Sequence, residues 1–181
     1  DGTVLKISPT SDTYINPMDM PPDYGLDEDD DSEKTPLGIK KEKALTKKSD
    51  YIMSIVERMI SAGGNENVTS ITPQQRTLVD QCVCAAYKDY LDNDFNTDYM
   101  PTLLDFQEEL DKRKNESKDN QDVADGVAYY TRGSMNVFSH KTNVHIENRL
   151  VVFNVRDLGQ ALRQIGLLIV FDFIWNRMVE N

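Results

Sequence analysis

The chain has 181 residues, with 31 acidic and 20 basic side chains and a formal net charge of −11. This length allows one domain with a true hydrophobic core. The charge excludes a general attraction to nucleic acid or anionic lipid, although a local basic patch is compatible with either. The longest uninterrupted apolar run, Leu167 to Phe171, is too short to span a bilayer, so no transmembrane segment is expected. The sequence begins at Asp1 without methionine or an apolar leader, which predicts a fragment or processed piece without a secretion signal.

The first 22 residues predict a strand followed by an extended segment. Thr3–Ser8 alternates as a strand does, and Pro9 ends it. Three prolines stiffen the residues that follow, and Asn16 is biased away from helical backbone because Pro17 comes next.

An acidic loop is predicted over residues 23–35. A calcium-binding loop would need glycine and glutamate at the positions that Ser32 and Gly38 occupy, so a solvated loop is favoured. A lysine-rich segment follows, and its candidate partner-docking residues are Lys40, Lys41, Lys47 and Lys48. These lysines either dock an acidic partner or phosphates, or form a solvated helix face that balances the acidic loop. The second interpretation is favoured.

Four helices are predicted in the middle of the chain from capping and breaking residues. They start at Thr35-Pro36, Thr72-Pro73, Pro101-Thr102 and about Asn120, and they end at Gly63-Gly64, about Leu91, about Asp111 and Gly133. Cys82 and Cys84 lie two apart in the second helix and point to different faces, which disfavours a disulfide or a metal site. A reducing, intracellular compartment is therefore expected. His140 and His145 are assigned to a polar loop rather than to a metal site.

A strand and an apolar helix are predicted at the end of the chain. Leu150–Val155 is β-branched and aromatic, and the helix after it is apolar on nearly every face from Leu167 to Trp175. We expect that helix to be buried on more than one side, with Trp175 against the strand. A strand feeding such a helix is typical of a β–α unit in a covered parallel sheet. Asp172 is interpreted as a hydrogen-bonded buried carboxylate rather than a catalytic one.

The pattern as a whole predicts a mainly α fold, with a helical insertion between two strands and a helix of an α/β nucleotide-binding core. The predicted divisions are 1–22 (core strand and extended segment), 23–140 (helical insertion subdomain) and 141–181 (core strand and buried helix). The two strands should then lie close together. The sequence has no glycine-rich phosphate loop, no Ser-His-Asp ordering and no metal-ligand cluster, so it assigns no catalytic residue and no metal ligand.

Several motifs resemble the VirB-type conjugative transfer ATPases, the large cytoplasmic ATPases of type IV secretion systems. Val4–Ser11 and Tyr14–Asp19 resemble the segment after that family's phosphate-binding helix. Tyr130–Phe138, Thr142–Val144 and Asn148–Phe153 resemble its passage back from a helical insertion into the core. The positions that carry the resemblance are Asn16, Pro17, Arg132, Gly133, Phe138, Asn143 and Arg149.

The resemblance implies a fragment of the C-terminal ATPase domain between its two nucleotide-binding motifs, in which an all-helical subdomain interrupts a RecA-like core. It implies a parent that binds Mg-ATP, forms a homo-oligomer and couples hydrolysis to DNA or protein transfer at the inner face of the membrane. Other secretion-system components would be its partners. Because both nucleotide-binding motifs flank this piece, no cofactor and no activity are expected for the chain alone. The alternative function is a stand-alone helical protein-binding module, and an enzyme using Asp172 or His140 and His145 has the least support.

Overall fold

The computed structural model describes residues 2–62, 70–146 and 150–179. It confirms the mainly α prediction. The strands are β1 (Thr3–Lys6) and β2 (Val151–Asn154), and the helices are α1 (Leu37–Ala62), α2 (Pro73–Ala86), α3 (Lys88–Asp92), α4 (Leu103–Arg113), α5 (Lys118–Thr131) and α6 (Gly159–Val179). Short 3-10 turns cover Thr97–Tyr99 and Arg156–Leu158.

The two strands lie close together, as predicted, and they pair in parallel. Their register runs from Thr3 opposite Val151 to Lys6 opposite Asn154. All the helices except α6 lie between them in the chain. We call α1 to α5 the helical body. The chain therefore enters and leaves this body at neighbouring points.

Local sequence signals set the helix boundaries well. The predicted capping box of α2 is present, since Gln75 N donates to Thr72 Oγ1 at 3.2 Å and Thr72 N donates to Gln75 Oε1 at 2.9 Å. The same helix ends at Ala86 rather than about Leu91, and Tyr87 separates it from α3. Tyr87 is fully buried and its hydroxyl donates to a distant carbonyl, which is a tertiary contact that spacing does not report. The predicted end of the first helix at Gly63-Gly64 lies outside the described residues.

One hydrophobic core joins the whole described chain. It includes Ile7 and Ile15 near the start, the inner faces of α1, α2, α4 and α5, and one face of α6. Its members on the helical body include Ile52, Ile55, Val56, Met59, Leu78, Val79, Cys82, Val83, Phe106, Leu110, Val123 and Val127. This core contains residues of all three predicted segments, 1–22, 23–140 and 141–181, so it does not separate them. The division into these segments stays a prediction.

The expectation that α6 is buried on more than one side was wrong. Leu167, Phe171 and Trp175 form an exposed stripe at four-residue spacing, with 40%, 67% and 57% of their surface accessible. The opposite face is buried and packs against α1. Instead of Trp175, Phe173 meets β2, with its ring centroid 5.9 Å from that of Phe153. A helix buries only those faces for which a neighbour exists, and the described residues supply one for a single face.

By length and composition alone, Arg156–Arg177 is one helix that could cross a membrane. Such a match is weak evidence, because the core helix of a soluble protein passes the same test. The expected absence of a transmembrane segment therefore stays a prediction.

The exposure of Trp175 changes the expected effect of removing it. Trp175→Ala should lower the free energy of unfolding by about 1 kcal/mol, because less than half of its surface is buried. Phe106→Ala, at a fully buried aromatic position, should cost about 3–5 kcal/mol. Urea unfolding of the two variants compares them directly, and equal losses would place the Trp175 ring inside the core.

Candidate functional site: a buried lysine centre

The side chain of Lys48 on α1 is fully buried and joins three parts of the fold. Its Nζ lies 3.2 Å from Asp172 Oδ2 of α6. It also donates at 3.2 Å to the Pro17 carbonyl oxygen, in the extended segment of residues 9–22 that we call the strap. The rings of Tyr24 and Tyr51 flank the ammonium, with centroids 4.0 and 4.7 Å away. The Lys48 centre, meaning Lys48 with these four neighbours, therefore ties α1, α6 and the strap together at one point.

Burial dominates the electrostatics of this centre. Desolvation lowers the pKa of Lys48, opposed by the negative charge of Asp172. Desolvation and the Asp172 charge together raise the pKa of Tyr24 above its ordinary range. The Tyr51 hydroxyl is buried without a hydrogen-bond partner in the described chain, so its ring, not its hydroxyl, contributes to holding the ammonium.

Asp172 is held from three sides. Besides Lys48, the Tyr24 hydroxyl donates to Oδ1 at 3.1 Å and Asn176 Nδ2 donates to Oδ2 at 3.2 Å. Its side chain is 17% exposed. The hydrogen bonding predicted for Asp172 is confirmed, but the residue is half-buried rather than buried.

Asn16 is the second anchor of the strap, and it is almost fully buried. Its Nδ2 donates to Asp19 Oδ1 at 3.0 Å and to the Pro101 carbonyl oxygen at 2.9 Å. Its Oδ1 accepts from Met18 N at 3.0 Å, and its own backbone N–H donates to Thr142 Oγ1 at 2.8 Å. One amide side chain thus fixes the turn of the strap and ties it to the loop before α4.

Asp19 is a partly buried carboxylate beside this anchor. Thr142 Oγ1 donates to its Oδ2 at 2.6 Å. Desolvation raises the pKa of Asp19, while the Thr142 hydrogen bond and the charge of Lys48 oppose the rise.

Tyrosine hydroxyls satisfy two further carbonyls of the strap. Tyr87 donates to the Met18 carbonyl oxygen, and Tyr90 donates to that of Met20. An extended segment without a strand partner must find such bonds elsewhere, and here the helical body supplies them.

Three other motif positions, Asn143, Phe138 and Arg132, make contacts within this fold. Asn143 Oδ1 accepts from Tyr14 N at 2.8 Å, and its Nδ2 donates to the Asp12 carbonyl oxygen at 2.7 Å, which clamps the strap from outside. Phe138 is buried in the core, and exposed Arg132 forms an ion pair with Asp111.

Gly133 occupies a position that has no room for a side chain. An added Cβ would lie 2.5 Å from the Tyr129 carbonyl oxygen, so glycine ends α5 there. Pro17 and Asn16 belong to the anchors described above, and Arg149 lies outside the described residues.

The lysine-rich face pairs mostly with acids of the same chain. Lys40 Nζ lies 2.9 Å from Asp23, and Lys41 Nζ lies 2.6 Å from Asp94. Lys48 is buried, so the expectation that it belongs to an exposed docking face was wrong. Docking at Lys40, Lys41 and Lys47 stays a prediction.

The acidic loop is held to α1 by these charges. Asp23 accepts from the Ser32 hydroxyl at 2.6 Å as well as from Lys40, and Lys43 Nζ lies 2.5 Å from Asp30. The interpretation that the lysines balance the acidic loop is therefore confirmed for Lys40 and Lys43.

This loop should detach from α1 in acid. Hydrogen bonds from Ser32 and Lys40 lower the pKa of Asp23, and the hydrogen bond from Lys43 lowers that of Asp30. Because attachment lowers these two pKa values, the ionised carboxylates stabilise the attached loop. The stabilisation is complete at pH values above the ordinary pKa of 3.8. It is lost as the pH falls through the lowered pKa values.

The measurement is hydrogen exchange, corrected for intrinsic rates, at the Asp27 amide, which donates to Asp30 Oδ2 at 2.8 Å. Its protection should fall below pH 3.8 before the protein unfolds. The Thr72 amide, bonded to the uncharged Gln75 side chain, is the control. Parallel loss of protection at both amides would contradict the prediction.

Sequence analysis missed the tyrosines of this site and the role of Lys48. One signal was available for Lys48, which lies four residues after Ala44 and four before Ile52, both fully buried. A lysine on the apolar stripe of a helix indicates a buried, partnered ammonium. Tyr87 follows buried Val83 by four residues and Tyr90 follows Tyr87 by three, which predicts their burial but not their partners in the strap, and no comparable signal marks Tyr24.

The polar and charged groups of this site connect separate parts of the fold. Lys48 and Asp172 neutralise each other, and each polar atom of Asn16 is used in holding the strap. Within the ranges that the structure describes, no group of three or more histidine, cysteine or acidic side chains is placed to hold a metal ion.

In this fold, the helices α1 to α5 lie in the chain between two strands that pair in parallel. No protein-family model and no curated protein matches the chain. Among solved structures, VirB4 of Thermoanaerobacter pseudethanolicus shares the fold over 100% of this chain, with a TM-score of 0.70 and 14% sequence identity. The chain spans 63% of the length of that VirB4 chain. It therefore has a VirB4-like fold.

Proposed function

We propose that this chain is the helical coupling and docking subdomain of a type IV secretion ATPase of the VirB4 kind, together with adjoining strands of its RecA-like core. In this role it links ATP hydrolysis in the parent protein to the transfer of DNA or protein. The observation that carries the proposal is the in-register parallel pairing of β1 and β2 across the whole helical body.

The strand pair has the features of an incomplete sheet. A two-stranded sheet is marginal by itself, and parallel sheets are normally covered on both faces. Here Val4 and Val152, which oppose each other on one face, are 66% and 49% exposed. Further strands and helices of a RecA-like core would pair with the open edges and cover these valines.

The Lys48 centre gives the body a route for coupling. The strap follows β1 and α6 follows β2, and both are tied to α1 through one ammonium group. A movement of the strand pair would therefore be transmitted to α1 and to the helices packed on it. A partner that binds the body differently in two nucleotide states would then be coupled to hydrolysis.

The parent's properties belong to the same proposal. It would bind Mg-ATP through motifs outside this chain, form a homo-oligomer, and work in the cytoplasm at the inner face of the membrane. Its partners would be other secretion-system components and, through the parent, the transferred DNA–protein complex. The resemblance of the Asn16-Pro17 and Arg132-Gly133 motifs and the VirB4-like fold support this assignment.

Competition in the cell tests the proposal. Donor cells that carry the intact transfer system and also express this chain should transfer less DNA, because the chain would occupy the docking partner. A Val79→Asp variant, which places a charge in the core, is the unfolded control at equal expression. Unchanged transfer, with the chain in excess over the parent, would count against a docking role.

The purified chain should neither bind nor hydrolyse Mg-ATP, because its sequence lacks a glycine-rich turn with lysine to cradle phosphates. Calorimetric titration with Mg-ATP checks this. Tight binding would contradict the proposal that the parent binds Mg-ATP through motifs outside this chain.

A further inference from the structure

We propose that a groove beside Trp175 binds a short peptide segment of a protein partner, in which an apolar or aromatic side chain stands next to a carboxylate. The groove encloses about 500 Å³, a volume that includes open solvent at its mouth. Residues 21–26 line one side, and Lys47, Trp175 and Asn176 complete it. We call it the Trp175 groove. The inference goes beyond the proposed function and does not depend on it.

The groove is held in shape before anything binds. Its lining residues Tyr24 and Asn176 both donate to Asp172, and Tyr24 is 3% exposed. Gly25 adopts φ +89°, where an added Cβ would lie 2.7 Å from the Lys43 carbonyl oxygen, so the chain just after the strap lies directly against α1. Binding to a preformed groove avoids much of the cost of ordering it.

Trp175 provides the apolar contact. Trp175 is 57% exposed and lines the groove together with Pro21 and Pro22. A large, stiff aromatic side chain can cover an apolar partner residue at low entropic cost, which is why tryptophan is enriched at binding hot spots.

Lys47 provides the charge. It is exposed and forms no ion pair within the described residues, and its ammonium lies 5.2 Å from the centroid of the Tyr24 ring. Three neighbouring lysines of α1 are each paired with an acid, namely Lys40, Lys43 and Lys48.

The acids around the groove leave the charge of Lys47 available. Asp23 is paired with Lys40, and Asp172 with Lys48. Asp50, on the next turn of α1, acts on Tyr24 through its charge but is not in ion-pair contact with Lys47. An incoming carboxylate therefore meets a free ammonium in a protein whose net charge is otherwise strongly negative.

The same surroundings favour a peptide over nucleic acid. Leu26 lines the groove, and the five acidic residues that follow it begin the exposed part of the acidic loop. A nucleic-acid strand carries a phosphate at every nucleotide, so the acidic loop would repel it along its length. A peptide with a single carboxylate can place that one charge at Lys47.

A library of short random peptides displayed on phage tests the groove directly. It is selected on the 181-residue chain and counter-selected on the Trp175→Ala variant. Enriched peptides should carry an aromatic or large aliphatic residue next to aspartate or glutamate. Because Trp175 is the single tryptophan of the chain, a blue shift of its emission with a synthetic enriched peptide reports binding at this groove.

Matched variants make the test decisive. Lys47→Glu should weaken the synthetic peptide about tenfold or more by calorimetry. Lys141→Glu changes charge equally at an exposed lysine outside the groove and should leave affinity unchanged. Phe171→Ala, one turn before Trp175 on the exposed stripe, is the control for Trp175→Ala.

No enrichment over the counter-selected variant, or binding that survives Lys47→Glu, would overturn the proposal. So would a single-stranded DNA oligonucleotide that shifts Trp175 emission in a Lys47-dependent way. The isolated chain is used throughout, so failure here leaves the competition experiment in donor cells unaffected, and its failure leaves peptide binding unaffected.

Discussion

Replacing Lys48 with methionine is expected to lower the free energy of unfolding by about 3–5 kcal/mol, the cost of removing one partner from a buried ion pair. The reason is that Asp172, only 17% exposed, would keep its negative charge without a nearby cation. The Pro17 carbonyl would also lose its donor inside the fold. Urea unfolding followed by circular dichroism measures the change.

Two further variants separate the charge from the packing. Lys88→Met breaks an exposed ion pair with Asp92 and should leave the unfolding midpoint nearly unchanged. The double variant Lys48→Met with Asp172→Leu should recover part of the loss, because a buried ion pair can often be exchanged for apolar side chains. A non-additive double-mutant cycle would measure the coupling. If Lys48→Met unfolds no more easily than Lys88→Met, the Lys48 centre is not an anchor.

The elements of the fold were predictable where the chemistry is local. A capping box at Thr72 and Gln75 satisfies its own backbone donors, so four consecutive residues are enough to start α2. The strand pair needed one more step, since only the resemblance and the β–α pattern connected Thr3–Lys6 with Val151–Asn154. The apolar runs at the two ends of the chain each predict one strand. A single strand is not stable without a partner, so both were assigned to one core.

The errors at the end of the chain have a different cause. The apolar character of Leu167, Phe171 and Trp175 says that these residues gain by burial, but it does not say whether a neighbour is present to bury them. Periodicity therefore predicted their secondary structure correctly and their environment wrongly.

The Lys48 centre was missed because its partners are far away in the sequence. Asp172 lies 124 residues from Lys48, and no spacing rule connects them. Lys48 also stands in a run of lysines, and judging the run as a unit concealed the fact that Lys48 shares the buried face of α1 with Ala44 and Ile52. A face-by-face assignment of each lysine would have separated it from Lys47.

Asn16→Ala is the second variant for which a large loss is expected, about 2–4 kcal/mol. Its side chain satisfies two buried backbone groups, the Met18 N–H and the Pro101 carbonyl, and each group left without a partner costs about 1–3 kcal/mol. Asp19 would lose a donor as well. Thermal or urea unfolding measures the loss, and hydrogen exchange at the Met18 amide should show a local loss of protection in the strap.

Asn143→Ala is the matched control, since Asn143 also makes two bonds to strap backbone but is exposed, so water can replace them. It should cost much less than Asn16→Ala. Asn16→Asp adds a second test, because it keeps the shape but sets a carboxylate beside Asp19 in place of a donor. Burial and the Asp19 charge would raise the pKa of the new carboxyl, so this variant should be least stable at neutral pH and should recover as the pH falls through that raised pKa towards the ordinary aspartate value. If Asn16→Ala costs no more than Asn143→Ala, and Asn16→Asp shows no such recovery in acid, then the strap is held by its backbone and prolines rather than by the amide of Asn16.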